Sequence, residues 1–163
     1  MKSTIAILLL SAGLALSAQD TRFGVQGALS FPSHDLADAA DTGLQAGGHA
    51  LWDLARGREL VARVDATSFG QNHDLKVREL AIGADYLYHF EGRPRGVYAL
   101  AGLAAQSFHT SRTGHSSNDS GLGVDLGAGY DLNRNLGLQA RFTTTSLSSI
   151  SYDALNLGVT YTF

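Results

Sequence analysis

The last ten residues, ALNLGVTYTF, alternate without a break. Leu155, Leu157, Val159, Tyr161 and Phe163 take one face, and Ala154, Asn156, Gly158, Thr160 and Thr162 take the other. A period of two is the spacing of a β-strand with one apolar and one polar side. The same period recurs upstream. Phe23, Val25, Leu29 and Phe31 share a face, as do Leu44, Ala46, Ala50 and Trp52, and then Leu60, Ala62, Val64 and Ala66. Leu80 to Phe90, Leu122 to Tyr130 and Leu136 to Phe142 continue the pattern on even-numbered positions. The segment Val97 to Ala105 is apolar on both sides, and Val97, Ala99, Ala101 and Leu103 are assigned to the outer face. The pattern predicts an all-β fold of eight strands, each about ten residues long, the length a tilted strand needs to cross a bilayer.

The connections alternate as well. ARGRE, EGRPRG and DLNRN are short links. PSHDLADAADTG, QNHDLK, HTSRTGHSSNDS and SLSSIS are polar and mostly longer. Short turns at one end and long loops at the other predict an antiparallel up-and-down transmembrane β-barrel with its short-turn side in the periplasm. Strand aromatics cluster near strand ends, the arrangement of interfacial girdles.

The first residues read differently. Lys2 precedes an apolar run from Ile5 to Leu16, followed by the small residues Ser17 and Ala18. This is the layout of a cleavable signal peptide, assigned to residues 1–18, with the barrel domain over 19–163. The apolar run is shorter than the roughly 20 residues of a helical span. Beyond it no stretch is apolar enough for a membrane helix, so a mature chain in a membrane has to close its sheet and leave no backbone group unpaired.

Composition adds limits. The 163-residue chain has a net charge of -3, which gives no case for nucleic acid. It has no cysteine, so disulfides, thiolate metal sites and thiol catalysis are excluded. The signal peptide, the eight alternating segments and the terminal YTF resemble the small outer-membrane barrels of the OmpA, OmpX and opacity-protein type. The resemblance implies an outer-membrane location, contact with membrane lipid, and a C-terminal strand read by the barrel assembly machinery, here Leu157, Val159, Tyr161 and Phe163.

On the polar faces lie Arg63, Asp65, Glu79, Asp85, Asp125 and Arg141. Eight strands enclose a space that side chains just fill, and charges there must pair or meet water. These six are assigned to a polar network that plugs the lumen. A hairpin centred on Asn133 would set Asp125 opposite Arg141, Leu126 opposite Ala140 and Tyr130 opposite Leu136.

Two other chemistries are weighed. His115-Ser116-Ser117-Asn118 resembles the His-x-Ser-Asn string of PagL, an outer-membrane lipid A deacylase with a histidine base and a serine nucleophile. The resemblance implies those roles for His115 and Ser117, but the family's downstream glutamate has no counterpart, since no Glu follows Glu91. His34, His73, His109 and His115 fall in or beside long loops with several aspartates, without the close spacing of a local metal site. The expectation is therefore a non-enzymatic membrane barrel with no cofactor or metal. It would contact an extracellular partner through loops 32–42 and 109–120. A soluble lipocalin-like barrel is the reading with the faces reversed.

Overall fold

The computed structural model describes residues 21–71, 76–112, 115–146 and 151–163. The signal peptide assigned to residues 1–18 lies outside them, as do His73 and Asp74. Eight antiparallel strands close into one barrel in sequence order. They are β1 (Thr21–Ser33), β2 (Ala40–Ala55), β3 (Arg58–Gln71), β4 (Lys76–His89), β5 (Gly96–Arg112), β6 (His115–Asp131), β7 (Leu136–Ser146) and β8 (Ser151–Thr162). One short helix, α1 (Asp35–Ala39), interrupts the β1–β2 connection.

The registers fix the shape. A path across the strands leaves Phe31 on β1 and passes Leu155, Phe142, Leu126, Ala101, Tyr86, Leu60 and Trp52. It returns to β1 at Thr21, ten residues from its start. A stagger of ten over eight strands, with ordinary strand spacing and rise, gives a tilt of about 41° and an axial climb of about 2.5 Å per residue.

The outer wall follows the two-residue alternation. Phe23, Val25, Leu44, Val64, Ile82, Leu103, Leu122, Leu126, Leu157 and Phe163 all face outward and are exposed, Leu122 by 75% and Phe163 by 70%. On β5, Val97, Ala101 and Leu103 point out while Tyr98, Leu100 and Ala104 point in, as assigned from the sequence. The apolar band is on the order of 25 Å tall, the height of a lipid-facing belt. The aromatics are unevenly shared between its rims. Phe23, Tyr88, Phe90, Tyr130, Tyr161 and Phe163 gather at the end that holds the chain termini, while Phe31 and Phe142 stand in the opposite half. The expected pair of girdles is one dense girdle and a sparse one. Two edge-to-face pairs, Tyr88–Phe90 at 5.5 Å and Tyr161–Phe163 at 5.6 Å, reinforce the dense rim.

The short links lie at that same, periplasmic rim. The tightest is Arg56–Gly57, with Ala55 opposite Arg58. Both turn residues have positive φ, 48° and 74°, the conformation of a two-residue turn that matches strand twist.

The opposite end departs from the sequence reading. Residues 109–120, expected as a loop, are mostly strand: His109 pairs with Asn118 and Arg112 with His115. Above the membrane both faces meet water, so a paired strand there needs no apolar alternation, and its Ser, Asn and Asp residues read as loop. The hairpin rises about 17 Å past Leu122 at that climb per residue. The segment 32–42 is also not a free loop. β1 runs to Ser33, and α1 turns inward to bury Leu36.

The lumen is filled. Near the outer end Leu36, Ala40, Phe69, Val77, Phe108 and Ala154 form an apolar cluster, with Tyr152 stacked on Phe108 at 4.3 Å. Nearer the periplasm Leu51, Val61, Leu87, Tyr98 and Leu100 form a second one. Charged groups lie between them.

Candidate functional site

β3, β4, β6 and β7 project Arg63, Asp65, Asp85, Asp125 and Arg141 into the middle of the barrel, and all five are buried. Each sits on the polar face because the period of two keeps it opposite the lipid-facing positions. Arg63 is the hub. Its guanidinium donates from Nε to Asp85 at 3.0 Å and from its two terminal nitrogens to Asp65 and Asp125. Arg141 donates to the same Asp85 oxygen at 2.7 Å and lies 3.7 Å from Asp65. Thr143 donates to Asp125 at 2.5 Å, and Gln26 donates to Asp65. The planar fork of arginine suits this geometry, because a single guanidinium can face several carboxylates.

The glycines of neighbouring strands make the room. A Cβ on Gly102 would press on the Asp85 carboxylate and would sit 2.7 Å from the Ala84 carbonyl. One on Gly47 would meet the Asp65 carboxylate in the same way.

The Asp125–Arg141 pairing is not formed. Asp125 lies opposite Thr143, and Arg141 lies opposite Gly127. Likewise Leu126 faces Phe142 and Tyr130 faces Leu138. The cause is the turn. Asn133 Oδ1 accepts from the backbone N–H of Asn135 at 2.8 Å and of Leu136 at 2.9 Å. This side-chain turn lengthens the loop by two residues relative to a hairpin centred on Asn133. A shift of two leaves every side chain on its face and changes every partner. Glu79 also points inward but stands apart, half-buried nearer the outer end and hydrogen-bonded to Thr67.

At the periplasmic mouth Arg22 bridges Asp53 at 2.7 Å and Glu59 at 2.6 Å. Beside them His89 lies between Asp131 and Glu59, with its other ring nitrogen near the Gly57 carbonyl. A cavity of about 40 Å³ adjoins this group, lined by Arg22, Glu59, Asp131, Gln139 and Thr160 among others. That space suits a few waters and no larger solute. Sequence reading missed this group. His89 did stand on the polar face of its strand, which was the one available signal.

Other candidates disperse. The Ser117 hydroxyl donates to Asp119 at 3.4 Å on the exposed hairpin, and the side chain of His115 lies outside the described residues. His34 meets Asp153 at 3.1 Å, and His109 meets Asn118 at 2.6 Å. Among the described residues these two histidines share no ligand cluster.

A closed barrel with an apolar belt outside and ionic groups inside is a membrane-spanning barrel, and the reversed, lipocalin-like arrangement is set aside. The chain belongs to the family described as outer membrane protein beta-barrel domain, whose model matches residues 3–163. It is an integral protein of the outer membrane. No curated protein sequence matches it. Among solved structures it is similar to Neisserial surface protein A, at 19% identity and a TM-score of 0.62, over 88% of this chain and 97% of that one. It is also similar to Ail, the attachment invasion locus protein of Yersinia pestis, at 15% identity and a TM-score of 0.61, over 89% and 99%. The N-terminal barrel domain of Pseudomonas aeruginosa OprF follows at 18% identity and a TM-score of 0.56, over 89% and 98%. These likenesses are of fold.

Proposed function

We propose that the protein is a non-enzymatic structural barrel that presents its outer end to an anionic extracellular partner. One observation carries the structural part: the lumen is obstructed three times over, by the apolar cluster under α1, the five-residue ionic network and the lower apolar cluster. A polar plug of this kind joins β3, β4, β6 and β7 across the barrel, and among the described residues the cavity beneath it, about 40 Å³, has room for a few waters only. Planar-bilayer recording on the reconstituted barrel is expected to show no large, steady conductance. A stable open level in symmetric salt would contradict the plug.

Export by a leader of residues 1–18 supports delivery to the membrane. Leu157, Val159, Tyr161 and Phe163 serve as the assembly signal. They line the lipid face of the strand that closes the barrel against β1, so in an unclosed chain that strand offers both an apolar face and a free edge.

For the surface role, the projecting β5–β6 hairpin is the prominent outer feature among the described residues. Arg78 pairs in register with His109, and Lys76 with Ser111, which puts exposed cations beside the hairpin base. A second structure of Ail, 14% identical over the aligned residues, holds the heparin analogue sucrose octasulfate. A sulfated or phosphorylated polymer fits the same chemistry here. Heparin-coated surfaces are expected to retain the barrel in a salt-dependent manner, and a Lys76→Glu, Arg78→Glu variant is expected to lose at least half of that retention. Unchanged retention would remove this patch from the proposal.

A further inference from the structure

Three strand ends meet at the periplasmic mouth. Glu59 is the second residue of β3, His89 ends β4 and Asp131 ends β6. His89 is fully buried, with 0% of its surface exposed. Its Nε2 lies 2.8 Å from Asp131 Oδ2 and 3.6 Å from Glu59 Oε2. Its Nδ1 lies 3.2 Å from the Gly57 carbonyl oxygen. One ligand atom from each of the three residues lies within 4.8 Å of the other two.

A carbonyl oxygen only accepts, so the proton belongs on Nδ1, and Nε2 then faces two carboxylates with a lone pair. Three electron-rich atoms converge and call for a cation between them, either a second imidazole proton or a metal ion. Anchoring the far ring nitrogen on a backbone carbonyl is how metal-binding histidines are oriented. The other oxygen of Glu59 is taken by Arg22, which leaves Oε2 turned to the site. The cavity lined by Glu59 and Asp131 lies beside the group and has room for a water.

We propose that Glu59, His89 and Asp131 form a site for a divalent transition-metal ion, with zinc the best match, and that a water completes the shell. Zinc bonds of about 2.0–2.1 Å in a tetrahedron set ligand atoms roughly 3.4 Å apart. The His89–Glu59 separation of 3.6 Å is already close to that. The His89–Asp131 separation of 2.8 Å has to open, which Asp131 can do because 21% of its side chain is exposed at the rim. Imidazole with carboxylates favours zinc, nickel or copper over calcium and magnesium. The site ties β6 to β3 and β4, which are not its hydrogen-bonded neighbours on that side.

The test is calorimetric titration of Zn²⁺ into the chelator-stripped, tag-free barrel folded in detergent. One saturable site is expected, weakened more than about tenfold by His89→Gln and by Asp131→Asn. The heat-dependent gel shift of each variant establishes that it is folded. Should His89→Gln fail to fold, Asp131→Asn, a change at the exposed rim, decides alone. Absence of saturable binding would assign the group to an imidazolium ion pair and overturn the proposal. Binding unaffected by Asp131→Asn would place the metal elsewhere, with the histidines of the outer end, and would overturn it equally.

Discussion

Arg63 shows how much depends on a single side chain. It neutralises parts of three aspartates, and Arg141 supplies the only other guanidinium among the described residues that reaches that cluster. Two cations against three carboxylates leave little to spare. Removing one partner of a buried ion pair strands the other charge, at a cost of about 3–5 kcal/mol. Arg63→Met is expected to lower unfolding stability by that amount in urea titrations followed by the fluorescence of Trp52, the one tryptophan in the chain. Adding Asp125→Asn to the variant should restore part of the loss, because it removes one of the stranded charges. A single-variant change below about 1 kcal/mol would mean that the network contributes little. That Arg63 faces inward was legible in the alternation. Its three partners were not, since they come from β3 itself, β4 and β6.

Elements here are decided by their ends. The β2–β3 hairpin depends on positive φ at Arg56 and Gly57, and at Gly57 a side chain would also meet the Arg93 backbone nitrogen at 2.6 Å. Gly57→Val is therefore expected to destabilise the barrel by about 1–3 kcal/mol, while Arg56→Asn, which suits this turn, should be neutral or stabilising. Folding yield and urea midpoints of both variants check this, and indifference to Gly57→Val would contradict the turn assignment. The β6–β7 hairpin makes the same point from the other direction. Its strands were located correctly, yet the Asn133 side chain moved the register by two and exchanged the partners of Asp125 and Arg141. At the outer end the β5–β6 hairpin continues as paired strand through residues whose polarity resembled a loop, because nothing apolar presses on either face there.

The whole molecule is a cylinder whose outside meets hydrocarbon over a limited height. Arginine in the middle of that belt costs about 2–4 kcal/mol, and near its edge about 0–1 kcal/mol. Leu157 lies within the belt, and Ser120 faces outward beyond its upper rim. Leu157→Arg should therefore show the larger loss and Ser120→Arg the smaller, measured as unfolding free energy in phospholipid vesicles. Equal losses would argue against lipid on the outer face. The obstructed lumen belongs to this scale too. The apolar cluster that closes the outer end takes residues from α1, β2, β3, β4, β5 and β8, and no single segment announces it.

The sequence by itself determined which residues face lipid, how many strands there are, and where the short turns fall. Each of those follows from a local period or a local run of residues. Tertiary structure alone decided who meets whom: Arg63 with three aspartates, His89 with Glu59 and Asp131, Leu36 beneath the outer rim. Those meetings depend on turn lengths that set register and on a ten-residue stagger that accumulates only when the first strand closes on the last. A shift of two residues anywhere around the ring preserves the alternation and changes the partners.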